Sequence, residues 1–173
     1  MLGRDGAPEP PGVDGLRIRP MRHRDLDAVA AIESQAFGSP WRRGSYGRAI
    51  TTSPRQFVVA EMDGELVGYA GFWVEQRKAH VAKVAVHPDY RRRGIAQALL
   101  EHLLDAVRRL GLGYAYLEVR KSNQGAQELY RRLGFHFERV QPKAYPDNGE
   151  DALIFARDNL LDPAARRPAT VED

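Results

Sequence analysis

Three arginines, Arg91, Arg92 and Arg93, run directly into Gly94, Ile95 and Ala96. Val84, Ala85 and Val86 before them read as the end of a strand, Pro88 stops it, and a helical pattern begins at Ile95. A strand–turn–helix junction leaves backbone N–H groups unpaired at the positive end of the helix dipole, which makes it an anion site. Gly94 has no Cβ, so a phosphate oxygen can approach the main chain closely. Three adjacent positive charges repel one another, and a multiply charged anion would offset that repulsion. The run also fits an ordinary solvated helix start or a nucleic-acid patch. The spacing is not Gly-x-Gly-x-x-Gly and no Gly-Lys-Ser/Thr follows, which argues against a dinucleotide fold and a nucleotide P-loop.

Glu118 lies amid apolar residues near the carboxyl end of a predicted strand at 114–119, rich in aromatic and β-branched residues. Its place fits a catalytic base, and equally a strand carboxylate paired with Arg120. Tyr130 sits on a predicted helix, where an aromatic fits core packing first. The five histidines, His23, His80, His87, His102 and His136, show no metal-ligand spacing, so no metal is expected. The absence of cysteine excludes disulfides, thiolate metal sites and a cysteine nucleophile.

The elements that must position these residues follow from periodicity. Residues 16–19 alternate and Pro20 closes them: a first strand. A helix is expected over 25–37, from Leu26, Val29, Ala30 and Phe37, and a short second helix after Trp41. Strands are expected at 57–62 and 66–74, joined by the Asp63-Gly64 hairpin signal, and at 80–86. The pattern Ile95, Ala98, Leu99, His102, Leu103, Ala106, Leu110 predicts a largely buried helix ended by Gly111 and Gly113. Asn123 can cap a helix running to Leu133. Strands at 135–140 and 152–157 close the chain around Asp147, Asn148 and Gly149. The order β-α-α-β-β-β-α-β-α-β-β gives antiparallel pairs in the meander and a parallel segment where the two later helices cross over. The expected class is therefore α/β, a mixed, mostly antiparallel sheet with helices on both faces.

Residues 1–15 and the tail 162–173 are rich in Pro, Gly and charge and are expected to be disordered, leaving one domain over 16–161. With 43% hydrophobic and 28% charged residues in 173, the composition is that of a globular protein able to bury a sizeable core. No apolar run is long enough to span a bilayer, and the first residues lack the apolar segment of a secretory signal, so cytoplasmic residence is expected. Net charge of +3 and a pI near 9.3 suit an anionic ligand but fall short of a dedicated nucleic-acid binder.

The stretch Arg91-Arg92-Arg93-Gly94-Ile95-Ala96 resembles the Gln/Arg-x-x-Gly-x-Gly/Ala motif of the GCN5-related N-acetyltransferases (GNAT), and the resemblance extends over roughly residues 16–160. Residues 117–135 and 144–155 look most like the ribosomal-protein-alanine N-acetyltransferases and archaeal N-terminal acetyltransferases. The resemblance implies a GNAT-like sheet and acetyl-CoA as co-substrate. Val84, Ala85 and Val86 would pair with the pantetheine arm. Arg92, Arg93, Gly94, Ile95, Ala96 and Gln97 would wrap the pyrophosphate, and Asn123 would contact the cofactor. Ala96 stands where many relatives have glycine.

With no cysteine, the simplest reaction is direct attack of an amine on the acetyl thioester. An α-amino group, with a reference pKa of about 7.7–8.0, needs a base to lose its proton. The resemblance gives that role to Glu118 and makes Tyr130 the acid that protonates the departing sulfur. It also implies that the loop bearing Phe37 and Trp41, with hairpin residue Tyr145, flanks a peptide N-terminus. Phe37 also fits simple core packing. Relatives commonly carry two adjacent tyrosines where this chain has Ala144 and Tyr145. Asp147, Glu150 and Asp151 fit a solvated turn, or a charged surface for a basic peptide segment.

The leading expectation is an acetyl-CoA-dependent Nα-acetyltransferase acting on a protein N-terminus, an alanine of a small-subunit ribosomal protein, as a monomer without direct nucleic-acid or membrane contact. A lysine or small-amine acetyltransferase keeps the same fold. A noncatalytic basic nucleotide- or RNA-binding module is a third reading. It lacks the aromatic stacking pattern of common RNA-binding modules and leaves Glu118, Asn123 and Tyr130 without a role.

Overall fold

The computed structural model describes residues 12–38, 40–52 and 56–166. The first eleven residues of the segment expected to be disordered, Ser39 and the final part of the tail lie outside them. Among the described residues there are seven strands, β1 (Leu16–Pro20), β2 (Phe57–Met62), β3 (Glu65–Glu75), β4 (Lys78–Val86), β5 (Ala115–Arg120), β6 (His136–Tyr145) and β7 (Glu150–Arg157). The same residues hold four helices, α1 (Leu26–Ala36), α2 (Arg43–Thr52), α3 (Ile95–Arg109) and α4 (Gln124–Arg132). Short 3-10 turns at His23–Asp25, Pro88–Tyr90 and Pro163–Arg166 carry no periodic signal in the sequence. The chain order of strands and long helices matches the expected one.

The strands form a mixed, mostly antiparallel sheet in the order β1-β2-β3-β4-β5-β7-β6. The Asp63-Gly64 turn joins β2 and β3 with both residues at positive φ, 52° and 83°, the backbone twist a two-residue hairpin requires. Gln76 and Arg77, at 48° and 63°, repeat that turn between β3 and β4 without a glycine to signal it. β4 and β5 run parallel over Ala79↔Ala115, His80↔Tyr116 and Val81↔Leu117, and β4 continues past these pairs to Val86.

The described contacts group into two compact units. One holds the described residues up to Phe72 together with residues 83–103; the other holds residues 73–82 with the described residues from 104 onward. The core of the first includes Leu16, Val29, Ile32, Phe57, Tyr69, Phe72, Ile95 and Leu99, all buried. A guanidinium is buried there as well: Arg19 donates to both carboxylate oxygens of Asp25 at 2.8 Å and to Glu61 at 3.0 Å. The second buries Leu104, Val107, Ala115, Leu117, Phe155 and Ala156. No helix among the described residues is long and apolar enough to cross a membrane.

Candidate active site

In the first unit, β4 ends on buried Ala85 and Val86, and the chain turns through the Pro88–Tyr90 3-10 turn into α3. Nδ1 of His87 accepts from the Asp89 N–H at 3.1 Å and steadies the turn. Arg92 and Gly94 both take the left-handed conformation, at φ 60° and 81°. Gly94 does so without strain; a side chain there would not. The first helical bond is Ala98 N–H to Gly94 O at 3.0 Å, so the N–H groups of Ile95, Ala96 and Gln97 precede the intrahelical ladder. Buried Ile95 anchors that helix start, while residues 91–94 are exposed. Two of the guanidiniums have partners of their own: Arg91 Nε reaches Val86 O at 3.4 Å, and Arg93 lies 5.1 Å over the Tyr90 ring. A junction of N–H groups ahead of the helical ladder, exposed backbone and positive charge fits a pyrophosphate.

Also in this unit, Phe37 and Trp41 stand in the loop between α1 and α2, partly exposed. Neither is free surface. Lys83 Nζ lies 3.9 Å from the Phe37 ring centre and 4.9 Å from that of Trp41. Lys83 in turn donates to Glu33 Oε1 at 2.8 Å, and the Trp41 N–H donates to the same oxygen at 2.8 Å. The hydroxyls of Tyr46 and Tyr69 both donate to Glu33 Oε2, Tyr46 at 2.6 Å. The Glu33 side chain is fully buried. Burial alone would push its carboxyl up; the donations from Lys83, Tyr46, Tyr69 and the Trp41 N–H outweigh it and hold the group below the usual carboxylate range.

In the second unit, β5 alternates. Ala115, Leu117 and Val119 are buried, while Tyr116 and Glu118 occupy the other face. The Glu118 side chain is 41% exposed, open enough to meet a reactant, and its Oε1 lies 3.8 Å from His80 Nε2. The His80 ring stacks on Tyr116 at 4.5 Å with planes 5° apart, as their register places them. Arg120, the expected alternative partner of Glu118, pairs instead with Asp147 at 2.8 Å and Glu150 at 3.3 Å and covers the Tyr145 ring at 3.9 Å. Tyr145 is partly buried; burial raises its phenol first, and the charge of Glu118 adds to that.

Asn123 caps α4, its side-chain oxygen accepting from the Ala126 N–H at 3.2 Å. Tyr130 leans on Phe135 and Phe155, with ring centres 6.1 and 6.4 Å away. Burial, with a smaller effect from Tyr145, pushes its phenol up to about 12.

The hairpin carboxylates are spent internally. Glu150 accepts from the Ser122 N–H at 2.7 Å, and Asp151 accepts from the Lys143 N–H at 3.0 Å. Asp147 and Glu150 also hold Arg120, so these groups help build the hairpin. Sequence reasoning passed over His80, Glu33, Lys83 and the true partners of Arg120. A faint signal existed for one of them, since Glu33 lies four residues from Val29 on the apolar face of α1.

The profile of the acetyltransferase (GNAT) family matches residues 26–135. The chain is 35% identical over 141 residues to the [ribosomal protein bS18]-alanine N-acetyltransferase of Escherichia coli K12, covering 80% of this chain and 95% of that protein. The crystal structure of the ribosomal-protein-S18-alanine N-acetyltransferase from Escherichia coli superposes with a TM-score of 0.74 at 32% identity, over 83% of this chain and 94% of that one. Ard1 from Thermoplasma volcanium gives 0.79 at 25% identity, over 83% and 97%. The expected mixed sheet and the motif at Gly94 are thus met together, and the chain belongs to the GNAT family of acetyltransferases.

Proposed function

We propose that this chain is an acetyl-CoA-dependent Nα-acetyltransferase that acts on a protein N-terminus, an N-terminal alanine of a small-subunit ribosomal protein. One observation carries the site: Glu118 is presented outward from a strand whose neighbouring residues Leu117 and Val119 are buried. A carboxylate so placed, with His80 beside it and the Tyr145 hairpin near enough to feel its charge, suits proton removal from an acceptor amine. The likeness to ribosomal-protein-alanine acetyltransferases supports the choice of acceptor. Such an acceptor is met in the cytoplasm, by a single acetyltransferase domain over 16–161.

Acetyl-CoA supplies the activated acyl group as a thioester. The main chain at Arg92, Arg93, Gly94, Ile95, Ala96 and Gln97 would hold its pyrophosphate. Val84, Ala85 and Val86 would pair with the pantetheine arm, and Asn123 would add a polar contact from the start of α4. Phe37, Trp41 and Tyr145 are the residues that would contact the acceptor. Glu118 takes the proton that an α-ammonium, with its pKa of about 7.7–8.0, retains at neutral pH. Tyr130 would act on the side of the leaving sulfur. With its phenol near 12 and a thiol near 8.5, full transfer is uphill by about 5 kcal/mol. Tyr130 therefore works mainly by donating a hydrogen bond as charge builds on sulfur, and solvent completes the protonation.

The test is a peptide panel. Peptides beginning with alanine and bearing a free α-amine should be acetylated, and the same peptides with a blocked α-amine should not. Acetylation of blocked peptides on lysine would sink the Nα reading and leave a lysine acetyltransferase of the same fold.

A further inference from the structure

The geometry points to Glu33 and Lys83 as positioning residues for the acceptor, a single buried ion pair that sets both aromatic rings of the α1–α2 loop. This rests on the reading of Phe37 and Trp41 as acceptor-side residues. The Glu33 carboxylate draws donors from four parts of the first unit: the Trp41 main chain, Tyr46 on α2, Tyr69 on β3 and Lys83 on β4. The Lys83 side chain is 10% exposed, and its ammonium lies against the faces of both loop rings. A cation held over an aromatic face fixes the plane of that face as well as its distance.

Fold stability alone accounts poorly for such a pair. Well-packed apolar residues of the same volume commonly serve a core as well as a buried ion pair does, so the pair's distinctive contribution is geometric specificity. Its position gives that specificity an object. Lys83 directly precedes Val84, Ala85 and Val86, the stretch assigned to the pantetheine arm. One residue therefore joins the donor-side strand to the acceptor-side rings. If it is removed, the loop keeps its apolar packing of Trp41 on Tyr46, at 5.2 Å between ring centres, but loses what orients Phe37.

The experiment compares the wild-type chain with Lys83→Met, Lys83→Arg and the double variant Glu33→Gln with Lys83→Met, the last leaving no buried charge uncompensated. The expected result for the double variant is unchanged far-UV circular dichroism, acetyl-CoA affinity within about twofold, and a KM for an alanine-initiated peptide raised about tenfold or more. Lys83→Arg should recover part of the peptide KM, because a guanidinium also stacks on aromatic faces. A second readout is independent of turnover. In a Trp73→Phe background, acrylamide quenching of Trp41 should rise in Lys83→Met and in the double variant. Parallel losses in peptide and acetyl-CoA parameters, or an unmoved peptide KM with unmoved quenching, would overturn the inference. If the wild-type chain acetylates no peptide, the proposed function fails on its own, and the quenching result still decides whether the pair sets the loop.

Discussion

His80 Nε2 lies 3.8 Å from Glu118 Oε1, across two parallel strands whose register pairs His80 with Tyr116. The contact is longer than a hydrogen bond, so it leaves the carboxylate free to face a reactant. The stack of His80 on Tyr116 fixes the imidazole's plane.

Glu118→Gln keeps the shape and removes the base. Turnover should fall about a hundredfold or more, while acetyl-CoA binding, measured by calorimetry, stays within about twofold. His80→Ala removes a neighbour and a stacked ring rather than the base, so its loss of kcat should be the smaller. Equal losses in the two variants would move the base role off Glu118.

Much of this site could be read before the fold was known, because it is local in sequence. The alternation at 114–119 places Glu118 on one face of a strand, and the junction at Gly94 is contiguous. The parts that could not be read are relations between distant segments. His80 carries no meaning until the β4–β5 register brings it beside Tyr116. Glu33 is an ordinary helix glutamate by composition, and only the fold surrounds it with Lys83, Tyr46 and Tyr69. β6 runs on to Tyr145, beyond the expected strand at 135–140, because pairing with β7 resumes after a register shift at Tyr145↔Glu150. Pro142 is tolerated because β6 is the terminal strand of the sheet. The partner of the acidic hairpin was hidden for the same reason: Arg120 lies about a strand and a helix away in sequence.

Acid should unfold the first unit through its buried carboxyls. Glu33 and Asp25 are both held below their ordinary values of 4.5 and 3.8, Asp25 because the donations from Arg19 and the Arg22 N–H outweigh the upward push of burial. A carboxyl with a depressed folded pKa stabilises the fold fully above its unfolded value and loses that contribution as pH falls through the folded value. Denaturation midpoints should therefore hold near neutrality and drop as pH falls below about 4.5. Glu33→Ala leaves Lys83 buried without its partner and should cost about 3–5 kcal/mol near neutral pH. A chain with Glu33→Gln and Lys83→Met should show a shallower acid slope; an unchanged slope would remove Glu33 from the account.

Tyr130→Phe tests the far side of the reaction. Turnover should fall about tenfold to a hundredfold, with acetyl-CoA affinity unchanged, since the ring still packs on Phe135 and Phe155. A phenol raised to about 12 stays protonated through the working range. The pH–kcat profile of the wild-type chain should therefore show no falling limb from this group below about pH 11. A falling limb near pH 9 that disappears in Tyr130→Phe would contradict the raised phenol.

Gly94 and Arg93 separate two explanations of the basic run. If positive charge alone held the cofactor, Arg93→Ala would do the greater harm. The conformation argues otherwise. Gly94 sits at φ 81°, which strains any residue with a Cβ, and more so a β-branched one, by about 1–2 kcal/mol. Its Cβ would meet Val13 Cγ2 at 3.4 Å, an ordinary contact, so the cost comes from the backbone conformation. Arg93 is engaged with the Tyr90 ring and the Asp89 carbonyl, so its loss removes one screened charge. Calorimetric titration with acetyl-CoA should show Gly94→Val weakening binding about tenfold or more and Arg93→Ala by no more than about threefold, the smaller effect fading with added salt. The reverse order would make the arginines a generic basic patch and take the pyrophosphate away from the backbone at Gly94.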